Sequence, residues 1–288
     1  MNFRTDLAAE LKTDIDKKTG GVNAKKEQYG EIEITTIDIE NEIGAKIIGK
    51  PVGKYISFAM PPFLEQTDES MAVKIITSRL RSLFPRKPGT VLVVGLGNRE
   101  ITPDALGPES ASGVLATRHI KKELGEVEGL EDLNPVAVLS PGVLGKTGIE
   151  TLEIIKGAVE SVKPGLVIAV DAFAARDTER LGTTVQVSSS GICPGSGVGN
   201  SRKALDKNSL GVPVISIGVP TVVDATTLAR ELAGEKLPEK IRPYGREMFV
   251  TPREIDVIIK RAAKLISRVL NSALQPKYTL EEISALQS

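Results

Sequence analysis

Three aspartates stand in or just past apolar runs and could do acid–base chemistry. Asp104 lies in GLGNREITPDALGPES (95–110), which overlaps the end of the run TVLVVGLG (90–97); Asp171 directly follows LVIAV (166–170); Asp224 closes GVPTVVD (218–224). Two carboxyl groups that share one water resist double ionisation, so their pKa values split. The ionised acid can then take a proton from the water while the protonated one polarises a carbonyl. Each aspartate also has a plainer reading. Asp104 fits a cap on a turn or on a helix starting near Pro108, because free N–H groups at a helix N-terminus favour a carboxylate. Asp171 fits a structural pair with Arg176. For Asp224 the helix N-cap is the favoured reading, which makes it a third, structural acid.

Backbone donors for a carbonyl oxygen or an anion would come from two glycine-rich turns. Gly95, Gly97 and Asn98 allow a sharp turn after the first run. GICPGSGVGNSR (191–202) is the densest glycine stretch, with N–H groups at Gly195, Gly197 and Gly199 available to such a ligand. Gly97, Asn98, Gly195, Ser196 and Gly197 are therefore the candidate substrate- or oxyanion-binding residues.

Other chemistries fit less well. Ser196 does not sit in a G-x-S-x-G elbow, and a serine triad would have to use His119, the one histidine of the chain. His119 stands in the basic stretch RHIKK and reads as a solvated residue near a helix end. Cys193, the one cysteine, reads as a buried, inert thiol. GLGNRE lacks the third glycine of a dinucleotide fingerprint. A zinc site built from several histidines is excluded by count, and a carboxylate-held Mg or Mn site would carry no motif. No cofactor and no metal are expected.

The elements that must position these residues alternate in type. Strands are predicted at 31–39 and 55–60, and at 90–97, 136–139, 166–171, 185–189 and 212–220. The later ones are nearly all apolar, as strands buried on both faces must be. Helices are expected after Thr67 or Asp68, near Pro108, after a Thr147–Glu150 capping box, over 224–233, and over 253–270 with Thr251, Pro252 and Glu254 at its start. This alternation predicts an α/β fold with a central twisted, mostly parallel sheet flanked by helices. Residues 1–30 read as a loosely ordered start, 31–62 as strands added at one edge, and 7–288 as a single domain. In open α/β sheets ligands bind beyond the carboxyl ends of the strands, which is where the acids fall.

Composition narrows the class further. The 288 residues are 41 % hydrophobic, 26 % charged and only 3 % aromatic, with no Trp, so the core is built from Val, Ile, Leu and Ala. Lys and Arg number 37, matched by 37 Asp and Glu, and so no electrostatic funnel for nucleic acid is indicated. With one cysteine there is no disulfide framework. The first ten residues hold no apolar signal core, and no run is long enough to span a membrane. A cytoplasmic protein with neither membrane nor nucleic-acid partner is expected.

The chain resembles the germination protease family of spore-forming bacteria. The likeness is carried by RTDLAAE (4–10), GLGNREITPDALGP (95–108), LSPGVLGKTGIE (139–150), VIAVDAFAAR (167–176), GICPGSGVGN (191–200) and VPTVVDAT (219–226). The resemblance implies an endopeptidase that starts the degradation of small acid-soluble spore proteins when the spore germinates, acting in the forespore and spore core. It implies that Asp104 and Asp171 are the catalytic pair of an aspartic-like hydrolase with no serine or cysteine nucleophile, and a fold like that of hydrogenase-maturation peptidases. It further implies a homotetramer made as a zymogen that cuts its own N-terminus. Family sites favour an acid, then an apolar residue, then alanine. Asp6, Leu7 and Ala8 fit that order, which makes residues 1–6 a propeptide and Leu7 the mature start. The connection over 234–252 is shorter than the insertion that several family members carry there. Two other functions stay open: a peptidase of the same fold with a carboxylate-bound metal, and a non-catalytic module that binds spore proteins.

Overall fold

A computed structural model describes residues 5–11, 20–65, 69–123, 130–198, 202–233 and 248–287. Nine strands join in one sheet: β1 (Val22–Tyr29), β2 (Ile32–Ile39), β3 (Gly53–Ala59), β4 (Val91–Gly95), β5 (Val136–Leu139), β6 (Leu166–Ala175), β7 (Thr184–Ser188), β8 (Val214–Asp224) and β9 (Phe249–Val250). Their order is β1-β2-β3-β7-β8-β6-β4-β5, with β9 on the far part of β8.

The sheet has two halves. β5, β4, β6 and β8 pair in parallel, with helices between β4 and β5 and between β5 and β6 along the chain. β8, β7, β3, β2 and β1 pair antiparallel. The sheet is thus mixed rather than mostly parallel. A short connection from β6 to β7 brings β7 into the sheet antiparallel to β8, and the N-terminal strands extend that side.

Apolar residues cover both faces of the parallel half. Val91, Val93, Ile168, Val170, Ile215 and Ile217 pack against the helices Ser70–Arg81, Leu106–Ser112 and Ile255–Leu274. Leu92, Val94, Val167, Ala169 and Val214 pack on the other face, against Leu152 and Ile155 of the helix Thr151–Val162. Alternate residues of a strand point to opposite faces, so Asp171 continues the Val167–Ala169 side.

Several expectations are corrected. Asp171 lies inside β6, not at its end, because β6 runs on to Ala175 paired with β8 after β4 has stopped at Gly95↔Val170. Residues 22–29, read as loosely ordered, form β1; VNAKKEQY shows little apolar signal because this edge strand exposes most of its residues. The helix Glu42–Ile48 was not expected, although Asn41 caps it by accepting from the N–H groups of Ile43 and Gly44 at 3.1 and 3.0 Å.

The two expected capping boxes do not form. Thr147 ends the short helix Leu144–Thr147 and accepts from the N–H of Ile149. The Thr251 hydroxyl instead donates to the Thr221 carbonyl at 2.7 Å. A reciprocal pair does occur at Thr279 and Glu282, opening the last helix, Leu280–Gln287. His119 is exposed in the first turn of Arg118–Glu123, a solvated residue near a helix end as expected. Thr67, Asp68 and most of the 234–252 connection lie outside the described residues.

Candidate active site

β4 ends at Gly95, and the chain turns sharply through Gly97 (φ +108°) into the one-turn segment Thr102–Asp104. The turn has no room for side chains. A Cβ on Gly95 would stand 2.3 Å from the Gly107 carbonyl oxygen, and one on Gly97 would stand 2.1 Å from that of Asp104. This close return folds Asp104 back onto the end of β4, where its Oδ2 accepts from the N–H of Asn98 at 2.7 Å.

Asp171 is almost fully enclosed, at 6 % exposure, and its Oδ1 accepts from the N–H of Ala172 at 2.9 Å. Burial pushes its carboxyl well above the usual aspartate range, and the nearby charges of Asp104 and then Asp6 push it further. Burial also raises Asp104, against the opposing hydrogen bond from Asn98. The charges that act on Asp171 are therefore those of nearby acids, not of an arginine. Arg176 instead gives its main-chain N–H to Glu10 at 2.8 Å.

The third acid at this place is Asp6, on the N-terminal segment. Residues 5–10 lie along the far part of β6 and are held throughout. The Asp6 N–H donates to the Ala174 carbonyl, and the Ala174 N–H donates back to Asp6 Oδ2, both at 2.9 Å. Ser196 Oγ donates to Asp6 Oδ1 at 2.6 Å, a charge-assisted bond. Gly197 leaves the space for that carboxylate, since a Cβ there would come within 2.2 Å of Oδ2. Lys50 Nζ donates to the Thr5 carbonyl at 2.9 Å; burial pushes this ammonium down, and the charges of Asp6, Cys193 and Glu10 hold it up. The buried Gln186 spans Leu7, donating to the Asp6 carbonyl before it at 3.1 Å and accepting from the N–H of Ala8 after it at 2.9 Å.

Leu7 is 1 % exposed and packs with Phe173, Ala175 and Val223. Glu10 closes the segment by accepting from the N–H groups of Arg176 and Asp177 and from the Thr5 hydroxyl. Burial raises its carboxyl despite these bonds.

Asp104, Gly97, Asn98, Asp171, Asp6, Ser196 and Gly197 thus gather at one place. Within the 191–202 turn, Ser196 meets Asp6 through its hydroxyl and Gly197 through its missing Cβ; Gly195 turns the chain before them, at φ +74°, and Gly199 lies outside the described residues. Asp224 is committed elsewhere, accepting from the N–H of Thr227 at 2.9 Å to cap the helix Ala225–Ala233. Cys193 is half-buried rather than buried, with its thiol 3.1 Å from the Arg202 carbonyl. Sequence reasoning missed Gln186, Lys50 and the β6 edge at Ala174. Gln186 left a faint signal: in TVQVS, polar residues alternate with valines, yet all five are buried. Among the described residues no three His, Cys, Asp or Glu side chains cluster as metal ligands, and no helix is long and apolar enough to cross a membrane.

Comparison with known proteins finds relatives along nearly the whole chain. The germination protease of Caldanaerobacter subterraneus subsp. tengcongensis is 43 % identical over 99 % of this chain and 98 % of its own. Those of Clostridium perfringens (39 %, over 98 % of each chain) and Bacillus subtilis (36 %, over 97 % of this chain and 95 % of its own) are similar over nearly the whole length. A [NiFe] hydrogenase maturation protease from Thermococcus kodakarensis KOD1 aligns with 67 % of this chain and 98 % of its own, at 21 % identity and a TM-score of 0.37. The sequence profile described as germination protease matches residues 3–234, and the chain belongs to that family.

Proposed function

We propose that this chain, a peptidase of the germination protease family, is an endopeptidase that hydrolyses small acid-soluble spore proteins through water activated by Asp104 and Asp171, and that it first cuts its own Asp6–Leu7 bond. The single observation that carries the reading is the seating of residues 5–10 beside the acid pair. The Asp6 carboxylate is gripped by Ser196 and Ala174, and Leu7 after it is spanned by Gln186. A polypeptide held on both sides of one bond, next to two coupled carboxyls, is arranged as a substrate would be.

In this mechanism Asp171, with its carboxyl raised furthest, holds a proton and Asp104 is ionised. Asp104 takes a proton from water, the hydroxide adds to the Asp6 carbonyl carbon, and Asp171 protonates the carbonyl oxygen. Collapse breaks the C–N bond. The Leu7 nitrogen takes the proton from Asp104, and the re-forming carbonyl returns one to Asp171. The products are a carboxylate at Asp6 and an amine at Leu7. A small acid-soluble spore protein would offer the same acid–apolar–alanine order to the same grip, once residues 1–6 have left. A homotetramer is proposed on the family resemblance alone.

The test incubates wild type, Asp104→Asn and Asp171→Asn with a small acid-soluble spore protein, and reads both substrate cleavage and the enzyme's own N-terminus by mass spectrometry. Cleavage and a Leu7 start in wild type, and neither in the variants, are expected. Retained cleavage in both variants would sink the acid pair, and a mature start other than Leu7 would sink the self-processing site. Loss of activity on thorough chelation would turn the reading toward a carboxylate-held metal.

A further inference from the structure

We infer that Gln186 binds and polarises the carbonyl of the bond to be cut, acting as a catalytic residue of this site beside the two aspartates. The inference rests on the proposed cleavage at Asp6–Leu7 and adds a third group to it.

Sheet register puts Gln186 in place. Gly218 on β8 pairs with Asp171 on one side and with Gln186 on the other. Residues paired directly across strands point to the same face. Asp171 and Gln186 therefore rise from one face of the sheet, two strand spacings apart, or roughly 9–10 Å between their Cα atoms. The residue between them has no side chain. A Cβ on Gly218 would come within 2.3 Å of the Asp171 carbonyl oxygen and 2.6 Å of the Phe173 ring.

The orientation of the Gln186 amide follows from its partners. Its Oε1 accepts from the N–H of Ala8 at 2.9 Å and from Ser57 Oγ, on the paired residue of β3, at 3.3 Å. With two donors on the oxygen, the NH2 end is turned to the Asp6 carbonyl oxygen, 3.1 Å away. In an extended chain the C=O of one residue and the N–H two residues on point the same way, so this side-chain amide does what a neighbouring strand would do. It holds a peptide by main-chain atoms, available wherever the N–H position is not proline. Selection falls to the flanking seats: Ser196, Ala174 and Gly197 for the acid, and the apolar pocket for Leu7.

Burial makes the contact matter. Gln186 is 3 % exposed, and a buried amide left without partners is costly. When the addition step puts negative charge on the Asp6 oxygen, the fixed N–H donor of this buried amide strengthens its bond. A carbonyl oxygen has two lone pairs, which leaves one for the proton of Asp171 and one for Gln186.

The experiment follows self-cleavage of the full chain by intact-mass spectrometry from pH 4 to 8, in wild type, Gln186→Ala, Gln186→Glu and Asp171→Asn. Thermal unfolding reports on folding. Gln186→Ala is expected to slow cleavage by about 10²–10³-fold at every pH, the usual loss for one oxyanion donor. Gln186→Glu keeps the acceptor for Ala8 and Ser57 but becomes a donor only when protonated. It is therefore expected to be as slow as the alanine variant near pH 7 and to recover toward wild type as pH falls, and it carries the test if the alanine variant does not fold. The inference is overturned if either variant cleaves within threefold of wild type at pH 7, or if Gln186→Glu shows no recovery relative to wild type at low pH. If wild type cuts and Asp171→Asn does not while a Gln186 variant keeps its rate, this inference alone fails. If wild type does not cut at Leu7, or Asp171→Asn cuts at the wild-type rate, the proposed mechanism fails and takes this inference with it.

Discussion

The parallel and antiparallel halves of the sheet are built from different side chains. β4, β6 and β8 are apolar on both faces over most of their length, and each polar residue they bury stands out: Asp171, Ser216, Thr221 and Asp224. β3 and β7 bury one apolar face and one polar face, with Ser57, Thr184, Gln186 and Ser188 all enclosed. The first half isolates acids in a low dielectric, which is how carboxyl pKa values are moved. The second supplies neutral donors and acceptors that can grip a main chain. Asp6 reaches both, bonded to Ala174 of β6 and to Gln186 of β7. On this account, losses of chemistry and losses of grip are separable along the sheet.

The largest effect should come from the parallel half. Asp104→Asn or Asp171→Asn should lower kcat on a spore protein by about 10³–10⁴-fold with little change in KM, near the upper range for removal of an acid or base. An equal loss from a polar residue of β3 would break the contrast.

Changes at the acid seat should act mainly on KM. Gly197→Ala puts a methyl where the Asp6 carboxylate sits, and should raise KM by roughly 10–100-fold, the cost of overpacking a fitted site. Ser196→Ala removes one charge-assisted bond, worth about 1.5–3 kcal/mol, so a rise of roughly 10–100-fold is again expected, smaller for a substrate with glutamine in place of the acid. Steady-state kinetics with the matched acid and amide peptides would decide; an equal loss for both would show that Ser196 does not read the charge.

A smaller effect concerns stability. The Asp171 carboxyl is raised in the folded chain, so below the ordinary aspartate range both folded and unfolded states are protonated and burial costs little. As pH rises from there toward the raised folded value, the unfolded chain sheds its proton first, and stability falls. Asp171→Asn should remove that slope and raise Tm at neutral pH. Thermal melts across pH would show parallel curves for the two proteins if the burial argument is wrong.

The smallest effect lies away from the site. Asp224→Ala should cost about 1 kcal/mol of stability through loss of a helix cap and leave kcat and KM unchanged. A fall in kcat would move Asp224 into the chemistry and undo its reading as a structural acid.

The sequence by itself determined the α/β class and the buried runs at β4, β6 and β8, because apolar runs are local signals; it marked Asp104 and Asp171 as candidates without deciding their role. Local motifs also marked Asp6, Ser196 and Gly197, although nothing in their spacing tied them to one another. Only the tertiary structure decided that β7 runs antiparallel, since strand direction depends on the path of the chain around it. It alone brought Ser196 to Asp6 across 190 positions and set Gln186 two strands from Asp171 over a glycine. A polar residue in an alternating strand reads as solvent-facing until the partner that buries it is known. The segment that buries Gln186 is the N-terminus, which by composition had looked too polar to be held at all.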